Sequence, residues 1–197
     1  MLLPDGYSDV PQGKIAAVVT HLEMTAPPPR RDDPPGAWRL RKADTPAPDW
    51  YRDLYRRVGE EWLWFTRVGL SDADLAARIC APGVEVYALV VDGHDEGLLE
   101  LDFSAAGECE LLYFGVTARL IGTGAARFLM NRALEIAWSR DVSRLSVHTC
   151  TLDHPSAVAF YQRSGFRAFR RQIEVADDPR LDGTMPRDAA RHVPVIE

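Results

Sequence analysis

The stretch from Glu110 to Ala126 constrains this chain most, because its apolar run Leu111-Leu112-Tyr113-Phe114 leads through Ile121-Gly122-Thr123-Gly124-Ala125-Ala126 into a helix. It reads as a strand, a turn of small residues and then a helix of high propensity from Gly124 to Ser139. Glycine lets backbone N–H groups approach a ligand closely, and a helix start adds unpaired donors and the positive end of a dipole. That geometry holds a phosphate or pyrophosphate. Two common phosphate templates do not fit it. No Lys-Ser/Thr follows as in a P-loop, and a dinucleotide fold would want a third glycine and an early parallel strand.

Around this segment the pattern predicts a sheet. Val84 to Val91 and Gly97 to Phe103 read as strands joined by Asp92-Gly93-His94-Asp95-Glu96, which carries the Asp-Gly hairpin signal, and Glu108 to Val116 extends the meander. Upstream, Lys14 to Met24 reads as a strand, Ala26 to Gly36 holds five prolines and reads as a linker, and Trp38 to Lys42 alternates as a strand. A helix follows with Asp49 as candidate cap and Gly59 at its end, then a second from Ser71 to Ile79 with a capping box. Downstream come a strand Arg144 to Cys150, a helix Pro155 to Ser164 and a strand Phe166 to Val175. Residues 1–35 read as an N-terminal extension with one extra strand and a Pro-rich linker, 36–175 as the domain, and 176–197 as an irregular, polar tail.

Composition excludes several classes. The 197 residues are 46% hydrophobic, enough for a core that buries roughly 70% of the unfolded surface without staples. Cys80, Cys109 and Cys150 are odd in number and far apart, which argues for a reducing compartment. With 23 basic against 29 acidic residues, the net charge of −6 lacks the basic footprint of a nucleic-acid binder. No apolar window spans a membrane, and Met1-Leu2-Leu3-Pro4-Asp5 lacks the basic and apolar regions of a signal peptide, so the expectation is a cytoplasmic protein with no membrane partner. His148-x-Cys150 with His154 has no second ligand pair at zinc-like spacing, so no metal is expected.

A second segment runs Thr149-Cys150-Thr151-Leu152-Asp153-His154-Pro155-Ser156-Ala157-Val158-Ala159-Phe160-Tyr161-Gln162-Arg163-Ser164-Gly165-Phe166. Together with the glycine turn it resembles the GNAT superfamily of acetyl-CoA-dependent N-acetyltransferases, over roughly Trp38 to Val175. The family's Gln/Arg-x-x-Gly-x-Gly/Ala fits best as Ile121-x-x-Gly124-x-Ala126, with Ile121 in the place of the basic or amide residue. The Ala-x-x-Phe-Tyr-x-x-x-Gly-Phe segment fits through Ala157 and Tyr161, which puts His154 where the family has an Asn.

The resemblance implies an α/β (α+β) fold with a mixed, mostly antiparallel sheet that splays and is flanked by helices. It implies acetyl-CoA as cosubstrate, its pyrophosphate at Ile121, Gly122, Thr123, Gly124, Ala125 and Ala126, with further contacts from His154, Ala157 and Tyr161. A strained bulge at Phe114, Gly115 and Val116 would offer N–H groups to the thioester oxygen. Glu110 would be the base, with Glu108, Glu100 and Asp102 as spare candidates, and Tyr161 would protonate the departing thiolate. The acceptor would be a small-molecule or peptide amine attacking directly, since Cys109 and Cys150 read as strand residues rather than acyl carriers. A non-catalytic acyl-CoA-binding sensor that lost its acid and base is the alternative.

Each site residue also has a plainer reading. Glu110 is a strand-end carboxylate, Tyr161 a packing aromatic between Phe160 and Phe166, and His148 a satisfied or substrate-lining histidine. Trp50, Tyr51, Tyr55, Trp62, Trp64 and Phe65 line an acceptor pocket, fill the core or form a homodimer face, with Glu60, Glu61 and Arg67 as a solvated rim.

Overall fold

The alternating runs pair into one seven-stranded sheet in a computed structural model that describes residues 5–197. The strands are β1 (Lys14–Met24), β2 (Trp38–Ala43), β3 (Val84–Val91), β4 (His94–Asp102), β5 (Glu108–Val116), β6 (Arg144–Cys150) and β7 (Arg167–Asp177). Helices α1 (Pro48–Gly59) and α2 (Asp72–Ile79) cover one face, and α3 (Ala125–Trp138) and α4 (Ala157–Arg163) the other. Strand alternation makes a core on each face: on β4, Leu98 packs with Tyr51, Leu54 and Leu75, while Leu99 and Leu101 pack with Leu129 and Met130. Each such leucine contributes about 1.5–3 kcal/mol by leaving water. Among the described residues no helix is long and apolar enough to cross a membrane.

Local signals landed with small shifts. Asp92 and Gly93, both with positive φ (50° and 82°), alone connect β3 to β4, so His94, Asp95 and Glu96 belong to the strand rather than the loop. Helix α1 starts at Pro48 after Ala47, which makes no side-chain cap bond, so Asp49 is not the cap. Proline's fixed φ starts the helix instead, and Asp49 acts by charge at its positive end. Ser71 caps α2 as expected, its Oγ accepting from Asp74 N–H at 3.1 Å.

Strand β1 sits inside the sheet, whose order is β2-β3-β4-β5-β6-β1-β7. It pairs antiparallel with β6 and with β7, and β7 is the edge strand. Burial on both faces, Ile15 and Val19 on one and Leu22 and Met24 on the other, suits an interior strand. Its linker returns to β2 across the α3 face, where Asn131 Nδ2 donates to Asp33 Oδ1 (2.8 Å) and Arg132 pairs with Asp33 (3.0 Å). The tail is irregular yet anchored. Met185, Ala189 and Ala190 join the α1 core, and buried Arg180 pairs with Asp178 (2.7 Å) and donates to the Val193 carbonyl (2.8 Å).

Candidate active site

The β5–β6 pairing is parallel and short, from Glu108–Arg144 to Leu111–Val147. Beyond it β5 continues against β4 to Val116 and β6 against β1 to Cys150, so the two strands part. The bulge expected at Phe114 to Val116 lies earlier, at Leu112: Glu100 pairs with Tyr113 but Leu101 with Leu111. Its cause is packing, since Leu111 and Phe114 both face the α3 core, an odd separation that regular alternation forbids. Past the bulge, alternate backbone N–H groups of residues 112–116 face a gap with no strand partner. Gly115 brings α1 against this edge, because a Cβ there would lie 2.5 Å from Val58 Cγ1.

A cleft of about 560 Å³ runs through the gap from one face of the sheet to the other. Ile121, Gly122, Ala126 and Arg163 line its α3–α4 end, and Trp62, Trp64, Phe65 and Tyr113 line the end beneath α1. Between them lie Phe114, Gly115, Val116, His154, Ala157 and Tyr161. Three of the expected turn residues are not in its wall. Thr123 closes the turn, its hydroxyl donating to the Leu120 carbonyl (2.8 Å); Gly124 (φ 97°) precedes the helix under Pro34; Ala125 is fully buried. The helix therefore opens in the Ile121-x-x-Gly124-x-Ala126 register, and Gly122 and Gly124 N–H donate to nothing among the described residues.

Tyr161 packs as its plainer reading expects. Its ring, 7% exposed, packs edge-on to Phe114, Phe160 and Phe166 at centroid distances of 6.2, 5.7 and 5.7 Å. Its hydroxyl makes no hydrogen bond among the described residues, and burial pushes its pKa far up.

Glu110 lies outside the cleft wall and reaches it through a partner: His148 Nδ1 is 3.3 Å from Glu110 Oε1, and His148 lines the cleft. That bond raises the histidine's pKa against the opposing effect of burial, with Asp153 and Glu174 adding to the rise. The His21 ring stands 5.8 Å away on β1. The other candidate carboxylates are engaged elsewhere. Glu100 is buried and held by Arg67 (2.7 Å) and the Tyr51 hydroxyl, Asp102 accepts from Ser104 N–H (2.7 Å), and Glu108 pairs with Arg144 (3.3 Å). Arg67, expected on a solvated rim, is thus 8% exposed inside the α1 layer.

The six aromatics divide. Tyr51 and Tyr55 are fully buried, Trp50 donates to Asp95 (2.8 Å), and Trp62, Trp64 and Phe65 line the cleft. Tyr55, Trp64 and Tyr113 pack mutually at 5.0–5.4 Å as a rigid wall. Asp153 fixes this wall to β6, accepting from Trp64 Nε1 (3.0 Å), Thr149 Oγ1 (2.7 Å) and Cys150 N–H (2.9 Å). Burial pushes the Cys150 thiol up to about 11, so it is no thiolate at neutral pH. The sequence reading passed over Asp153 and Glu174, whose roles depend on which strands are neighbours.

Many solved structures share the fold. A GCN5-related N-acetyltransferase from Sphaerobacter thermophilus aligns over 85% of this chain and 53% of its own (TM-score 0.60, 15% identity). A GNAT-family protein from Novosphingobium aromaticivorans aligns over 87% and 70% (0.57, 18%). The PaiA N-acetyltransferase of Thermoplasma acidophilum, solved with coenzyme A, aligns over 73% and 100% (0.51, 14%). The chain thus spans about half the length of the Sphaerobacter protein. No curated protein matches it. Residues 46–166, more than half of the chain, match the Acetyltransferase (GNAT) family, and with the cleft built on the segment that the match includes, the chain belongs to the GNAT acetyltransferase family.

Proposed function

We propose that the protein transfers an acetyl group from acetyl-CoA to a primary amine by direct attack in a ternary complex. One observation carries this reading: a single cleft joins the α3 turn to the Glu110–His148 pair through the gap between β5 and β6. The residues fit the cosubstrate. The undonated N–H of Gly122 and the first turn at Ala126 suit a pyrophosphate, and open space surrounds Gly122. The coenzyme A complex of the Thermoplasma relative supports an acyl-CoA in this cleft. Three free cysteines suit the cytoplasm.

Acetyl-CoA supplies the activated carbonyl. A lysine-type amine is neutral only about once in 2,500 molecules at pH 7, so a base is needed. His148 takes the ammonium proton at Nε2, while Glu110 accepts Nδ1–H and fixes that tautomer. Backbone N–H groups of the free β5 edge meet the charge that develops on the carbonyl oxygen. Tyr161 donates to the departing sulfur and takes back the proton that the new amide nitrogen sheds. The N–C bond forms as the C–S bond breaks, giving amide, free thiol and one released proton. Initial rates, with acetyl-CoA varied at several amine concentrations, test the order. Intersecting reciprocal plots are expected; parallel ones would mean an acyl-enzyme, and bound coenzyme A without thiol release for any amine would mean a sensor.

A further inference from the structure

We infer that the acceptor is a monoamine with an aromatic or broad apolar body and no carboxylate, its ammonium held between Glu174 and His148. This rests on the acetyl-transfer reading and adds which amine the site takes. Glu174, on β7, lines the main cleft and also a side pocket of about 20 Å³ that it shares with Phe65 and Leu152. It faces the same cleft as His148, and β1 pairs with the strands of both. Among the described residues it forms no side-chain hydrogen bond or ion pair, whereas Asp153, the other carboxylate at this end, is engaged three times.

Among the described residues no Lys or Arg lines the same end. Arg163 is the sole Lys or Arg in the cleft wall among the described residues, and it sits on α4, where Arg31 bridges its carbonyl (2.9 Å) toward Asn131 of α3. The carboxylate of an amino acid would therefore meet Glu174 and Asp153 and no partner, an arrangement that rejects it by repulsion. A diamine's second ammonium would find no second free carboxylate. An aromatic body instead lies on the Trp64–Tyr113 wall, flanked by Phe65 and Trp62.

The test compares 2-phenylethylamine, L-phenylalanine and putrescine in a thiol-release assay with acetyl-CoA, with coenzyme A binding measured by calorimetry in parallel. The first two differ only by a carboxylate. The expected result is a kcat/KM for 2-phenylethylamine about 100-fold above the others. Glu174→Gln, nearly isosteric, should raise KM for 2-phenylethylamine about tenfold and leave KM for acetyl-CoA unchanged. Equal turnover of L-phenylalanine or putrescine, an unmoved KM in the variant, or coenzyme A binding with no turnover of 2-phenylethylamine overturns the inference. Absent coenzyme A binding overturns the transferase reading beneath it.

Discussion

Replacing Tyr161 by phenylalanine separates its packing from its chemistry. The ring contacts to Phe114, Phe160 and Phe166 survive, and the hydroxyl that is lost leaves no stranded partner among the described residues. The hydroxyl lines the cleft and has no protein partner to lose, so stability should move by less than about 0.5 kcal/mol and Tm by less than about 2 °C. Catalysis should move much further. Burial keeps the hydroxyl protonated at any assay pH, as a donor requires, but the high pKa also makes it a weak acid. The loss therefore belongs at the low end of general-acid effects, about 100-fold in kcat, or about 2.7 kcal/mol of barrier. Thermal denaturation and thiol release at saturating substrates measure both quantities. A kcat within threefold of the parent at unchanged Tm would refute the acid role, and a Tm loss above about 5 °C would show that the hydroxyl is structural.

Three further outcomes follow from the geometry. Because Glu110, helped by Asp153 and Glu174 and with His21 alongside, raises His148, kcat/KM for the amine should rise with pH through an inflection above 6.5; Glu110→Gln should lower that inflection, and an unmoved profile contradicts the pair. The sign for stability is opposite: the charged pair supports the fold below pH 6.5 and is lost as pH rises through the raised value, which denaturation across pH reads. Glu100→Ala strands buried Arg67 and should cost about 3–5 kcal/mol in urea unfolding, with less than about 1 kcal/mol counting against the buried pair. Gly115→Ala drives a methyl into Val58, costs about 1–3 kcal/mol, and should be relieved by Val58→Ala; additive losses would contradict the clash.

The turn at residues 121–126 was legible because glycine placement and helix propensity act locally, and the helix opens one residue from where they indicate. The β3–β4 hairpin was legible for the same reason. What stayed hidden is non-local. Nothing in Lys14–Met24 says that its neighbours are β6 and β7, and only the four-residue β5–β6 register brings Glu110 beside His148. The bulge at Leu112 answers packing on two faces at once, which a one-dimensional alternation does not carry. Arg67 reads as a rim charge because a buried arginine is distinguishable only once its carboxylate partner is known.

The central claim is that the cleft binds an acyl-CoA through the α3 turn, and calorimetric titration of the protein and Ala126→Glu with coenzyme A and acetyl-CoA tests it most directly. Position 126 suits the purpose better than Gly124, where φ is 97° and a Cβ would lie 3.0 Å from Pro34. A glutamate in the first turn favours the helix, so the fold is kept while a carboxylate faces the pyrophosphate. Repulsion of about 1.4–2.7 kcal/mol corresponds to about 10- to 100-fold in Kd. The account predicts micromolar binding to the parent protein that weakens at least about tenfold in the variant at unchanged Tm. Equal affinity in both, or no binding to either, would contradict it.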